Sequence, residues 1–573
     1  MKSRTAQRDE TAWSGLSLAF LWLSLLSTPQ PLPARTWPQD ELDRTFEKTV
    51  SLRPGQVVRI EHRLGNIVLR AQPGSDVRIV AHIHASGSPR EEAARLAGEI
   101  AIRVEQTSEG VSIRTEYPSW VGETSNHRHI SYAVDYDIVM PEASPLRIKN
   151  NFGSVEVAGL KSDADIHNSH GSLTFRDGRG AQRLENSFGS IEVTANQGDV
   201  EVVNNNSSVH VAHVEGNLTA RNRFGEVTAN HVSKRAEITN GNGKVELSDT
   251  GGPAAVRTSF GSVSATDIRG DLTVEDTSGD VEARDVAGAA ELSTSFGSIK
   301  FQNIGKRLTC TGRNSSISGN RVGEGAKAET SFGGVDIRDV GGALEVDNAN
   351  GKLYVRDVRG AATLKTTFGE LDAAGISGNA TLSDSNGAIK LSDVSGSVEV
   401  RGSFGGIEVG TLRRGVRIVS GNSNVTVSNI DGEAYVRTSF GLVRATRISG
   451  PLTVENSSGG LEASAIKGSV SARTTFGGVV LEDVGGHIDV ENQNGGIEVK
   501  RISPRAASGE CNRIALRTSF GPSACIYLRT PATPSMPGLL SGASTPSCPS
   551  RSRVRRRVIH WSGRSATASA SFI

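Results

Sequence analysis

Aromatic side chains are scarce, at 5% of the chain, while glycine is frequent, with 65 residues. A chain of 573 residues is far longer than one ordinary core can use. This composition suits many short strands with tight turns better than a helical or doubly wound domain. Cysteine is almost absent. Four residues are too few for a disulfide scaffold, and no CxxC pair suggests structural zinc. An excess of one charge is missing too. With 63 Lys and Arg against 62 Asp and Glu, nothing points to nucleic acid or to an acidic solvating tail.

Long apolar runs are lacking except at the start. Lys2, Arg4 and Arg8 precede the apolar stretch Ser14 to Ser27, and a Pro-rich segment follows. The run is short of the roughly 20 apolar residues a membrane span needs, and it reads as an export signal. Residues 1–34 are therefore expected to be a signal peptide cleaved near Ala34, or else an uncleaved N-terminal anchor. Export would place the chain in the periplasm, the outer envelope or on the cell surface.

What is present is a repeat. Phe-Gly pairs begin at Phe152, Phe188, Phe224, Phe260, Phe296, Phe332, Phe368, Phe404, Phe440 and Phe476, always 36 residues apart. Midway between them sit His170, Asn206, Asn242, Ser278, Asn314, Asn350, Asn386, Asn422, Ser458 and Asn494, each before Gly or Ser. The unit is thus 18 residues in two alternating flavours. Two places after that Gly or Ser the residue is always apolar, as at Val155, Leu173, Val263 and Ile497. Four, seven, eleven and thirteen places on are usually apolar as well.

Such alternation marks a strand with one buried face. Each unit holds two short strands, one after the Phe or Asn turn and one after a D-[IV]-x-G turn such as Asp267 to Gly270. In these turns Gly supplies positive φ, and Asp or Asn bonds its own backbone. No room remains for a crossover helix. Stacking the units, each strand parallel to its copies above and below, yields about twenty coils. At about 4.8 Å per coil the rod is on the order of 95 Å long. The expected fold class is all-β, a parallel β-solenoid, right-handed as parallel crossovers usually are. A lone coil could not stand: its five or so apolar side chains gain roughly 1.5–3 kcal/mol each, against roughly 1–2 kcal/mol per residue of backbone ordering.

The regular coils span residues 151–503. Residues 38–150 read as a β-rich N-terminal cap with one short helix at Pro89 to Ile100, covering an otherwise exposed strand edge. Within it, Arg63 to Leu69 resembles a degenerate coil. Residues 504–573 form an irregular tail rich in Ser, Pro and Arg. RTSFG returns there once, 44 residues after Phe476 instead of 36, and the pattern then stops, as a shifted reading frame would make it.

The ten Phe residues are structural repeat positions. They are expected to pack over the coil corner; the rival reading is an exposed aromatic ladder. Catalytic, cofactor and metal sites are not expected. Asp267 and Asp285 fit turn stabilisation better than calcium ligation, which needs several converging oxygens. His82 with His84, and His127 with His129, read as solvent-facing residues. Cys310 falls on an inward column and reads as a small core residue.

The unit in Thr258 to Ala283, TSFGSVSATDIRGDLTVEDTSGDVEA, and the segment YDIVMP before the repeat resemble the bacterial putative-adhesin family, a domain of unknown function built of β-strand repeats. The likeness covers roughly residues 45–521. It implies an exported or envelope-associated protein and transfers no binding residue. The expected function is a non-enzymatic β-solenoid that presents a long surface for adhesion or envelope scaffolding, its partner a surface glycan or an envelope protein. The alternatives are a bactofilin-like filament, formed by end-to-end self-association, and a carbohydrate-active β-helix enzyme.

Overall fold

The computed structural model describes residues 41–87, 90–120, 130–503, 511–526 and 568–572. Residues 1–34, expected from sequence to direct export, and the pair His127 and His129 lie outside them.

From Leu146 to Ile502 every 18 residues make one coil of two strands, which run on as one through the corner at Ala290–Ile304 and at Leu308–Val322. In the coil that starts at Ala254, the strand Ala254–Phe260 buries Ala254, Val256 and Thr258. The strand Val263–Ile268 buries Val263, Ala265 and Ile268. Each strand pairs in parallel with its copy in the next coil, so Val256 faces Val274 and Val263 faces Val281. Like positions therefore stack into columns. About twenty such coils form a parallel β-solenoid around one continuous apolar core, which includes Cys310.

A sixth inward column is polar. It runs through Asn150, Asn168, Asn186, Asn204, Asn222 and Asn240, then mainly Thr, Asn, Ser and Asp down to Asn492, nearly all of them buried. Its work is clear at Asn348, which is fully buried. The amide donates to Gly351 O of its own turn at 3.3 Å and to Gly333 O of the turn below at 3.0 Å. Buried carbonyls need such partners, so the column ties each Phe or Asn turn to its neighbour.

The other corner differs from the sequence expectation. The positive φ lies on the Asp and not on the Gly of the D-[IV]-x-G turn: Asp267 has φ +57° and Asp357 +58°. A residue of this conformation recurs in almost every coil, as Asp, Asn, His, Arg, Thr or Ala. It puts two outward residues in succession and bends the strand so that Ile268 points inward again. Asp and Asn tolerate this region best among residues with a Cβ. Gly270 serves close packing instead, since a Cβ there would lie 2.5 Å from the backbone carbonyl carbon of Gly252.

The N-terminal cap is β1 (Glu41–Ser51), β2 (Val57–Leu64), β3 (Ile67–Gln72), β4 (Asp76–Gly87), α1 (Arg90–Glu99), β5 (Ala101–Gln106), β6 (Gly110–Glu116) and β7 (Ile130–Pro141), followed by the first regular coil, β8 (Leu146–Phe152) and β9 (Val155–Ala158). β2 pairs in parallel with both β6 and β8, and β3 with both β7 and β9. The coil of β6 and β7 therefore lies outside that of β2 and β3, although it follows in sequence. β4 runs antiparallel along β7, β1 along β4, and β5 along β6. α1 turns Ala93, Leu96 and Ala97 into the core.

His62 takes the place of Asn in the polar column, opposite Asn150. Its Nδ1 is 2.9 Å from Thr115 Oγ1, itself 2.6 Å from the Tyr136 hydroxyl. Burial pulls its pKa down to about 4. As the unfolded chain titrates near 6.5, the cap loses stability as pH falls from about 6.5 towards 4, by on the order of 3 kcal/mol. We expect His62→Asn to remove this acid sensitivity. Hydrogen exchange of β2 and β6 against pH checks it, and equal pH dependence in both proteins would refute it.

At the far end the ladder continues past residue 503. The strands Ile514–Phe520 and Ser523–Ile526 add another coil on Ile488–Asn494 and Ile497–Ile502. Asn494 faces Phe520, so the extra residues between the coils leave the register intact. A strand at Ala568–Phe572 lies antiparallel along Ile514–Phe520.

Candidate functional site

All ten sequence-identified Phe residues fall in one column, on every second coil. Phe260 faces Asn242 and Ser278, and Phe332 faces Asn314 and Asn350. Phe520 is an eleventh member. Turn packing accounts for only half of each ring. Relative exposure runs from 41% to 56%, and these eleven are the exposed large apolar side chains among the described residues.

Ring orientation is set where three rings meet. His170 stacks between Phe152 and Phe188 at centroid distances of 4.5 and 4.8 Å, with interplanar angles of 22° and 17°. The ring faces thus look along the rod and their edges look outward. Two Phe rings on alternate coils leave a slot one ring thick. Elsewhere a polar residue sits at its base. Asn206, Asn350 and Asn386 lie back on the backbone, donating to Ser187 O, Ser331 O and Thr367 O at 3.3, 3.4 and 3.3 Å.

A second feature follows the bent corner. A groove of about 950 Å³ runs over seven coils from Asp393 to Ser503, and a smaller one of about 450 Å³ continues the line from Asp285 to Arg359. Its bank is the column of positive-φ residues, among them Asn429, Arg447, Asp483 and Arg501. They satisfy one another: Arg447 Nε donates to Asn429 Oδ1 at 2.5 Å and Arg501 Nε to Asp483 Oδ1 at 2.9 Å. The outer strand faces carry similar pairs between coils, such as Arg257–Glu275, Lys365–Asp347 and Arg444–Glu462. Exposed pairs of this kind contribute about 0–1 kcal/mol each. Their effect is a surface of mixed sign.

The remaining candidates stay apart. Asp267 and Asp285 hold corner positions one coil from each other, and Asp285 accepts from Asn303 at 2.5 Å. His82 is exposed, while His84 is half-buried between Asp43 and Asp135. Burial pushes the Cys310 thiol far up. Among the described residues no three His, Cys, Asp or Glu side chains gather as metal ligands would.

Two carboxylates that sequence reasoning missed are strongly perturbed. Asp276 and Asp384 occupy the polar column at 7% and 2% exposure, and desolvation pushes each pKa up to about 6. Each faces the inside of the stack behind a turn, so neither opens on a cleft where a substrate could reach it. Their sequence signal was the small polar residue that stands two places before nearly every repeat Phe and nearly every residue midway between, which apolar patterning overlooks.

Fold and surface together define a parallel β-solenoid with one aromatic column. No family model and no curated protein matches the chain. Among solved structures, a Clostridium sporogenes protein described as a "putative cell adhesion protein" aligns at 8% identity and a TM-score of 0.19, over 41% of this chain and 100% of its own. So slight a likeness carries no argument, and the fold class rests on the strand ladder.

Proposed function

We propose that this chain is an exported, non-enzymatic β-solenoid that presents a long surface for adhesion or envelope scaffolding. The supporting observation is the unbroken 18-residue register from Leu146 to Ile502. A cleft for catalysis needs convergent groups that depart from a repeat. Here the outward charges pair with one another from coil to coil, and the two perturbed carboxylates face inward. The N-terminal apolar run supports export. The partner is a surface glycan or an envelope protein, met by an extended face of mixed charge. Antiparallel strands lie along the outermost coil at each end, which disfavours end-to-end stacking into a bactofilin-like filament.

The test is an array of glycans and envelope proteins probed with the full chain. Saturable binding without turnover is expected. A glycan-cleaving activity abolished by one carboxylate substitution would overturn the reading.

A further inference from the structure

We infer that the Phe column is a self-association surface, along which two copies of this chain lie side by side and interdigitate their rings. Phe recurs on every second coil, so successive rings stand roughly 9.6 Å apart, twice the strand spacing. At one place the chain fills such a slot itself: His170 stacks on both Phe152 and Phe188. This shows that the gap between alternate Phe rings takes one planar ring in face-to-face contact. At Asn206, Asn350 and Asn386 the intervening side chain is tied down to the backbone, which leaves the outer part of the slot open.

A second copy is the partner whose repeat matches. It carries the same rings at the same interval. Laid antiparallel to the first and offset by one coil, its Phe residues enter the slots of the first copy, and those of the first enter its own. The contact is self-complementary, so a two-fold axis closes it as a dimer.

Area supports the same partner. A Phe side chain offers on the order of 200 Å², and about half of each is exposed. Eleven rings then present on the order of 1,000 Å² per copy, above the roughly 800 Å² per partner of a stable interface. Monomeric proteins seldom leave so much apolar surface in one line.

Sedimentation of the full chain at micromolar concentration reads the proposal. The wild type is expected to be dimeric. Replacing four central rings, with Phe260→Ser, Phe296→Ser, Phe332→Ser and Phe368→Ser together, is expected to weaken the dimer at least tenfold. Filling slots from within, with Asn314→His and Asn350→His, is expected to weaken it as well. This second variant keeps every Phe and copies what residue 170 already does, so it remains a test if the first fails to fold. A monomeric wild type overturns the inference, including one that binds a glycan through the same rings. So does a dimer that either folded variant leaves unchanged.

Discussion

Asp384→Asn is expected to stabilise the protein at neutral pH and to change nothing near pH 4. Asp384 Oδ1 accepts from Asn386 N at 3.1 Å, but desolvation outweighs this and lifts the carboxyl to about 6. The native state therefore holds its proton more tightly than the unfolded chain, where the ordinary value is near 3.8. Below about pH 4 both states are protonated and nothing is lost. Stability falls as pH rises from about 4 to 6, and above that the full penalty remains, on the order of 3 kcal/mol. Asn cannot ionise, and the same column holds a buried Asn at residues 348 and 456. Asp276→Asn should behave alike, as Asp276 is also raised to about 6. Urea unfolding at the two pH values checks both variants. A gain of equal size at both, or none at neutral pH, would refute the assignment.

The second large effect is expected at a turn. Gly351 has φ +139°, and a Cβ there would lie 2.1 Å from Gly333 O of the coil below. Positive φ with a side chain costs about 1–3 kcal/mol, and backbone contact adds to it. Gly351→Ala should therefore destabilise by about 3 kcal/mol or more. The chain replaces this Gly by Ser at residues 207, 315 and 423, and those coils show the terms. Ser207 keeps φ +108°. Ser315 and Ser423 turn inward and are buried, beside Gly312 and Ser420, which are small members of the polar column. Gly351 has Asn348 in that place, so no such room exists. Gly406→Ala is the control: nothing lies within 4 Å of its added Cβ, and the change should stay within about 0.5 kcal/mol. Equal unfolding midpoints for the two variants would sink the argument.

Much of this architecture was legible because identical coils repeat one message many times. The columns of Val263, Ala265, Ile268, Leu272 and Val274 could be read from spacing alone. The polar column could not. Alternation past Leu344 and Val346 brings Asn348 to the inward face, but a polar residue there gives no apolar signal, and only the turn carbonyls show why an amide belongs inside. Positive φ was assigned to Gly270 because Gly is its usual bearer, whereas the bend falls at Asp267. The order of coils in the cap was hidden for another reason. Exchanging the places of two coils leaves each strand's own pattern unchanged, so β2 and β6 look alike whichever lies outermost. The Phe column was found by number, but its exposure was not, since a ring at a corner reads the same whether it is covered or half bare.

That exchange gives the molecule a polarity. The earliest coil of the chain is not the last rung at its end of the stack but the one before it, clasped by ladders on both edges. A strand gripped on two sides leaves only when both sets of hydrogen bonds break together. The loop from β3 round to β7 works as a buckle at the N-terminal end of the rod.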